Sequence, residues 1–122
     1  MPFDWTEFLA LARDLGRRSG PSYSTEAASR TSVSRAYYAA FCHARNHAEN
    51  RFGFRRTGTG RDHSSLRNHL KNLSEGWLEI AEYLEDLQMW RGKCDYDDDI
   101  ENLDVLVSGA IETAEKIIQR CR

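Results

Sequence analysis

The sequence predicts an all-α protein, an up-down bundle of four long helices and one short helix in a single domain, residues 1–122. Apolar residues recur at helical spacing in each long segment, and no segment of useful length alternates as a strand does. Only two prolines, Pro2 and Pro21, occur, so nothing interrupts the periodic segments. A chain of 122 residues can also bury one core without disulfides or a metal.

Capping and periodicity predict the first two helices. Helix 1 spans about residues 4–15, because Asp4 and Glu7 have capping-box spacing and Gly16 can end the helix. Helix 2 spans about residues 25–51 and is the longest. The positions expected to face the core are Phe8, Leu11, Ala12 and Leu15 in helix 1, and Val33, Tyr37, Ala40, Phe41, Ala44 and Ala48 in helix 2.

A basic, glycine-containing loop over residues 52–61 follows and is predicted to be mobile. Helix 3 is the short one, about residues 63–73, with Asp62 as its cap and Gly76 as the break after it. Its apolar face is expected at Leu66 and Leu70.

Helix 4 is predicted from residue 77 to residue 90 or 91, and helix 5 is predicted to open at the three aspartates 97–99, which favour a helix N-terminus. The expected buried positions are Trp77, Ile80, Ala81, Leu84, Leu87 and Gln88 in helix 4, and Leu103, Val107, Ala110, Ile111, Ala114, Ile117 and Ile118 in helix 5.

Charge is unevenly distributed along a chain whose net charge is −2. Residues 1–76 hold 12 Lys and Arg and 7 Asp and Glu, a net charge of +5, whereas residues 77–122 hold 5 and 12, a net charge of −7. This asymmetry permits a basic patch that contacts nucleic acid. It is equally compatible with two halves that attract each other, within one chain or across a dimer.

The cysteines indicate a cytoplasmic protein. Cys42, Cys94 and Cys121 are an odd number without C-x-x-C spacing, which is typical of reduced thiols rather than a disulfide framework or a zinc knuckle. No signal peptide is predicted at the N-terminus. No apolar stretch approaches the roughly 20 residues that span a bilayer, so no membrane contact is expected.

Arg91 is the first candidate functional residue, because its position continues the apolar stripe of helix 4. A guanidinium on such a stripe needs a partner. One interpretation is a helix-terminal arginine that pairs with Asp95 or with residues 97–99. The other is contact with a phosphate, for which the bidentate geometry of arginine is suited.

The polar face of helix 2 is the second candidate region. Arg35, Tyr38, Cys42 and Arg45 fall nearly opposite the apolar stripe, and Asn46 follows Arg45. Tyr38, expected to be exposed beside Arg35, favours either a dimer interface or a platform on which a base stacks. Simple pairing within the chain is the alternative.

Residues 34–41 (SRAYYAAF) and 90–97 (WRGKCDYD) together resemble the HEPN family, in the branch with an R-A-Y-Y-A-A-F helix and an R-x-x-x-D-Y motif. The resemblance covers about residues 5–120 and implies a small helical bundle, usually a homodimer. It implies a toxin–antitoxin or defence-related protein that cuts or binds RNA or a nucleotide. The motif positions it carries over are Arg91 and Tyr96 as catalytic and Asp95 as a binding residue, and it places Arg35 and Tyr38 near Arg91 or across a dimer axis. Together with the polar face of helix 2, the predicted RNA- or nucleotide-binding residues are Arg35, Tyr38, Arg45, Asn46 and Asp95.

The second motif departs from the nuclease members, which carry Arg, then usually Asn, and a His separated from the Arg by four to six residues. Here Gly92 replaces the Asn, and Tyr96 stands at the shortest spacing of the His. A phenol with a pKa near 10 is a poor base at pH 7. A metal-independent ribonuclease and a non-catalytic module that partners a nucleotidyltransferase-like protein therefore both stay open, and no cofactor is expected.

The histidines outside the two motif segments are not expected to form a metal site or a catalytic site. His43 and His47 are four residues apart, but no third ligand lies at a convincing distance, so no metal site is predicted. Arg56 and His63 form an R-x6-H string outside the family's helix context, and we interpret that spacing as coincidental.

Overall fold

The computed structural model describes residues 2–122, which form five helices. These are α1 (Thr6–Leu15), α2 (Thr25–Arg51), α3 (Arg61–Lys71), α4 (Glu75–Tyr96) and α5 (Leu103–Arg120). Apart from one isolated bridge between Gly20 and Tyr23, residues 2–122 contain no β-structure, so the all-α class is confirmed. The helix lengths differ from the predicted four long helices and one short helix, because α1 has 10 residues and is as short as α3, which has 11.

The longest helix, α2, lies at the centre and packs against each of the other four helices. All six residues of its predicted apolar stripe are buried. Many of its buried side chains are alanines, which let the neighbouring helices approach closely, whereas Tyr37 and Phe41 fill the wider space towards α3. The predicted buried stripe of α2 is therefore confirmed.

The apolar faces of α3, α4 and α5 are also confirmed, since each predicted position there is buried or half-buried. In α1 the prediction is wrong at Leu11, which is 42% exposed, and Leu9 is buried in its place. Leu9 lies one turn before the fully buried Ala12, so the buried face of α1 passes through that pair. Asp4 precedes this helix and accepts hydrogen bonds from the amide (3.0 Å) and hydroxyl (2.6 Å) of Thr6.

α4 is longer than the sequence predicts at both ends. Gly76 lies in its first turn rather than in a break, and its last residue is Tyr96 rather than residue 90 or 91. The amide of Asp97 still donates to the carbonyl of Lys93 (2.9 Å), which completes the final turn. Asp95 and Tyr96 therefore belong to the last turn of α4 and do not lead into the next helix.

The prediction that the aspartates 97–99 open the last helix is wrong, because α5 begins at Leu103. Asp97 is extended (ψ 135°), and Asn102, just before α5, is left-handed (φ 55°). Arg30 of α2 donates to the carbonyl oxygens of Asp97 (2.5 Å) and Asp98 (3.0 Å). Those carbonyls are thus committed to a side chain and are not oriented to accept helical amide protons.

The basic and acidic halves of the sequence meet within the chain. Arg13 of α1 forms an ion pair with Glu115 of α5, and Arg67 of α3 lies 3.8 Å from Glu85 of α4. Some of the basic residues of the first half therefore pair with acidic residues of the second half within the same chain. Within residues 2–122, no helix combines the length and the apolar composition that a membrane span requires.

Candidate functional site

Arg91 lies in the penultimate turn of α4, on the side of the helix that faces α2, as the apolar stripe predicts. Its side chain is 17% exposed, and Nη1 donates to Oδ2 of Asp95 one turn later (3.1 Å). The Nε atom is enclosed and has no hydrogen-bond partner. Among the described residues, no other enclosed side-chain nitrogen or oxygen atom lacks a hydrogen-bond partner. An enclosed donor without an acceptor is costly, so this atom requires an explanation.

Burial alone would lower the pKa of Arg91, but the hydrogen bond to Asp95, the neighbouring Tyr38, the charge of Asp95 and Tyr96 together more than offset this, and the pKa lies above its ordinary value. The guanidinium thus stays charged. Asp95, one of the predicted binding residues, accordingly serves here as the carboxylate that orients Arg91.

Three tyrosine rings surround the guanidinium. Its Cζ atom lies 5.9 Å from the ring centroid of Tyr37, 5.8 Å from that of Tyr38 and 6.0 Å from that of Tyr96. Tyr37 is buried, Tyr38 is half-buried, and Tyr96 is 78% exposed. Arg91 therefore lies at the boundary between the core and the surface, with Tyr37 and Tyr38 on its core side and Tyr96 on its solvent side.

The polar face of α2 is more enclosed than predicted. Tyr38 is half-buried against the core rather than exposed, and Cys42, assigned to that face, is buried. The predicted neighbourhood of Arg35 and Tyr38 is observed, since Cζ of Arg35 lies 5.2 Å from the Tyr38 ring and 4.8 Å from the Phe8 ring. His63 of α3 and Arg91 of α4 lie against the Tyr38 ring and contribute to its half-burial.

Tyr38 links the two arginines, because the guanidinium groups of Arg35 and Arg91 lie 5.2 Å and 5.8 Å from the centroid of its ring. The structure thus brings together five of the seven residues that the sequence predicts for the site, namely Arg35, Tyr38, Arg91, Asp95 and Tyr96.

Arg45 and Asn46 lie in a neighbouring cluster. Arg45 is ten residues beyond Arg35 on α2, a rise of about 15 Å, and its Cζ lies 5.7 Å from the Trp5 ring. Asn46 accepts hydrogen bonds from Arg45 (3.1 Å) and Arg56 (2.8 Å), and Arg56 also binds Glu49 (2.6 Å). These two predicted binding residues are therefore occupied by partners within the chain.

His63 is the site residue that the sequence motifs do not reveal. It lies in the first turn of α3, and its Nδ1 atom shares a hydrogen bond with the hydroxyl of Tyr37. Its ring stacks on Phe41 (4.2 Å between centroids, 16° between planes) and meets Tyr38 edge-on at 6.3 Å. The Arg56–His63 string contains this residue, but the neighbour that matters in the fold is Arg91, which shares both tyrosine rings with His63.

The pKa of His63 is lowered, mainly by burial and then by the charges of Arg91 and Arg67, against the opposing charge of Asp62. The imidazole is therefore neutral at pH 7. Arg67, one turn later on α3, bonds to Gln88 of α4 and so ties the helix of His63 to the helix of Arg91.

The loop before α3 is anchored rather than mobile, which corrects the prediction. The carboxylate of Asp62 accepts from the amide and hydroxyl of Thr57 (both 2.8 Å) and from the amide of Gly58 (2.9 Å). These bonds lower the pKa of Asp62. The anchored loop fixes the start of α3, and hence the position of His63.

The two histidines of α2, His43 and His47, contact the backbone and aromatic rings of their own chain. Nε2 of His43 bonds to the carbonyl of Cys121 (2.9 Å), and His47 packs between Phe52 and Trp77. Within residues 2–122, no group of three or more His, Cys, Asp or Glu side chains is arranged to hold a metal ion.

Comparison with known proteins identifies no relative. No protein-family model, curated protein or solved structure matches the chain. The resemblance to the HEPN family therefore rests on the residues of the two motif segments, and the geometry of the site has to carry any functional conclusion.

Proposed function

We propose that this chain is a HEPN-like helical domain that binds phosphate groups of RNA or of a nucleotide at Arg91, in a toxin–antitoxin or defence setting. The observation that carries the proposal is the Nη2 group of Arg91, which makes no hydrogen bond with residues 2–122 and, unlike Nε, is not enclosed. A guanidinium offers five N–H donors, and Asp95 engages one of its nitrogens. A phosphate oxygen is the acceptor that best matches the remaining donors.

The aromatic side chains around Arg91 support a nucleic-acid ligand over a free inorganic anion. The exposed ring of Tyr96 lies 6.0 Å from the guanidinium, at a distance suited to a base stacking outside a bound phosphate. Arg35, on the far side of the Tyr38 ring, supplies a second positive charge. This alternation of arginine and aromatic side chains is typical of surfaces that bind single strands.

Binding is better supported than cleavage. Tyr96 is exposed, and its phenol is no replacement for a histidine base at pH 7. A metal-independent ribonuclease needs a group that removes the proton of the 2′-hydroxyl, and Asp95 is occupied by Arg91. Ribonuclease activity is therefore one outcome that the experiment on Arg91 has to distinguish.

A second candidate function rests on the exposed apolar face of α4. Met89 is 53% exposed and Tyr96 is 78% exposed, and they lie seven residues apart, on the same side of the helix. Such a pair favours docking of another helix, either from a second copy or from a nucleotidyltransferase-like partner. Light scattering of the wild type and of Met89→Ser/Tyr96→Ser tests the homodimer, which predicts a dimer that becomes monomeric in the variant.

The proposed function is tested with Arg91→Ala and with Arg13→Ala as a matched control. Arg13 also pairs with a carboxylate, Glu115, but it lies between α1 and α5, away from the site. We expect wild type and Arg13→Ala to bind a labelled single-stranded RNA or AMP, and Arg91→Ala to lose binding. The melting temperature should change little, because Asp95 is exposed and its carboxylate is not left buried without a partner when Arg91 is removed.

The same samples, incubated with cellular RNA and analysed on gels, decide between binding and cleavage. Discrete cleavage that disappears in Arg91→Ala would establish a nuclease. Equal binding by wild type and Arg91→Ala would refute the phosphate role of Arg91. A loss of several degrees in melting temperature would identify Arg91 as a structural residue instead.

A further inference from the structure

His63 reaches the candidate site from a different helix than any residue of the two motif segments. It is held at the first turn of α3 by the loop that Asp62 anchors. Its imidazole and the guanidinium of Arg91 both face the rings of Tyr37 and Tyr38, from α3 and from α4 respectively. A cation and a polar ring thus converge on one pair of aromatic side chains.

The orientation of the His63 ring is determined on two sides. Nδ1 is engaged by the hydroxyl of Tyr37, and one face stacks on Phe41 at 4.2 Å. The other nitrogen, Nε2, makes no hydrogen bond with residues 2–122. Within residues 2–122, Nε of Arg91 is the one enclosed side-chain nitrogen or oxygen atom without a partner, so Nε2 of His63, which also has no partner, is not enclosed. It is therefore the nitrogen that an incoming ligand can meet.

The hydrogen bond to Tyr37 determines which nitrogen carries the proton. Burial raises the pKa of Tyr37 above its usual range, so the phenol keeps its proton. Nδ1 of His63 is the one hydrogen-bond partner of that hydroxyl within the described part of the chain. If Nδ1 carried a proton, the buried phenol proton would have no acceptor, which is unfavourable. Nδ1 therefore accepts, and Nε2 carries the proton of the neutral ring.

We propose that His63 is the second phosphate-binding group of this site, with Nε2–H of a neutral imidazole donating to a phosphate oxygen held by Arg91. The inference rests on the proposed function, since it takes Arg91 to meet a phosphate. Tyr37 acts as the positioning residue, because it selects the tautomer. In this state Nε2 has no lone pair with which to accept the proton of a 2′-hydroxyl, so the arrangement binds a phosphate and does not cleave its ester.

The experiment compares His63→Gln, His63→Ala and Arg91→Ala with the wild type, with a fluorescein-labelled single-stranded RNA and AMP as probes. The amide of Gln can place an N–H near the position of Nε2, whereas Ala has no donor. We expect His63→Gln to bind within a few-fold of the wild type. We expect His63→Ala to bind roughly tenfold more weakly, the usual effect of losing a hydrogen bond to a charged group.

The outcomes separate this inference from the proposed function. Binding by His63→Ala at wild-type strength, with binding lost in Arg91→Ala, would refute the role of His63 and leave that of Arg91 intact. Absence of binding by the wild type to both probes would refute both. A preference for RNA over AMP, or the reverse, identifies which source of phosphate the site serves.

The tautomer is tested independently of any ligand. Long-range proton–nitrogen correlation spectra of the wild type at pH 7 should show protonated Nε2 and unprotonated Nδ1 in His63. Tyr37→Phe retains the buried ring and removes the hydroxyl, so both tautomers should become populated and affinity should fall. A wild-type spectrum with protonated Nδ1 would refute the donor role. So would RNA cleavage that both His63 variants abolish without weaker binding, because that pattern identifies a proton-transfer group.

Discussion

Arg30 of α2 donates a hydrogen bond to the carbonyl oxygen of Cys94 in the last turn of α4 (3.1 Å), although the two residues are 64 positions apart. The same guanidinium reaches the carbonyls of Asp97 and Asp98, and its Nε pairs with Glu26 (3.1 Å). The last carbonyl groups of a helix have no amide donor within the helix, and Arg30 provides a donor for the carbonyl of Cys94. The end of α4 that carries Arg91 is thereby fastened to the helix that carries Tyr37 and Tyr38.

We expect Arg30→Ala to destabilise the protein and to weaken ligand binding at Arg91. Three carbonyl groups lose their donor, and the expected loss in unfolding free energy is about 1–3 kcal/mol. Urea unfolding measures the first effect, and titration with labelled RNA measures the second. Arg55→Ala, an exposed arginine of the loop before α3, is the control and should change neither. Equal midpoints for Arg30→Ala and the control would contradict the fastening role.

Stability is expected to decrease as the pH falls from about 7 to about 5. The pKa of His63 is lowered by burial, Arg91 and Arg67, and the pKa of His47 is lowered by burial, Arg51 and His43. Both rings take up a proton in the unfolded chain near pH 6.5 but resist protonation in the fold, so acid favours unfolding in this range. Urea midpoints measured across this range test the expectation.

The histidine variants provide the control for this pH dependence. Around His63, the facing groups are Tyr37 and Tyr38 of α2, Asp62 and Arg67 of α3, and Arg91 of α4, with only Asp62 favouring protonation. His63→Gln and His47→Gln should each reduce the slope of stability against pH, because glutamine does not titrate. An unchanged slope in both variants would contradict the assignment.

The anchored loop before α3 predicts resistance to trypsin. Arg55 and Arg56 in the loop and Arg61 at the start of α3 are cleavage sites by sequence, but the carboxylate of Asp62, in the first turn of α3, holds Thr57 and Gly58 of the loop. We expect Asp62→Ala to be cut in this loop much faster than the wild type, as followed by mass spectrometry. Ser64→Ala, at an exposed position of α3, is the control. Rapid cleavage of the wild type in the same loop would show that the anchoring is ineffective.

The three thiols are expected to be unreactive in the folded protein. Cys42, Cys94 and Cys121 are buried and free, and burial raises the pKa of Cys94 to about 11 and that of Cys121 to about 12. Little thiolate is therefore present at pH 7, and the reagent has little access. Alkylation with iodoacetamide should modify none of them in buffer and all three in urea. Fast labelling of any one without denaturant would contradict the burial of that thiol.

Several features of the candidate site follow from local sequence. The apolar stripe of α4 predicts the half-buried position of Arg91, and its spacing to Asp95 predicts their ion pair, because both follow from the geometry of one helix. The neighbourhood of Arg35 and Tyr38 follows from α2 in the same way. Local sequence gives the wrong end for α4 and the wrong start for α5, because Arg30, distant in sequence, holds the carbonyls of the connecting segment.

The all-α class, the existence of the five helices and most of their buried faces can be predicted from the amino-acid sequence, because periodicity and capping are local properties. The half-burial of Tyr38, the anchoring of the loop before α3 and the position of His63 beside Arg91 arise only in the folded chain. Tyr37 and His63 are 26 positions apart on different helices, and their contact depends on how α2, α3 and α4 pack. No local spacing encodes that packing, so the histidine of this site cannot be found from the motif.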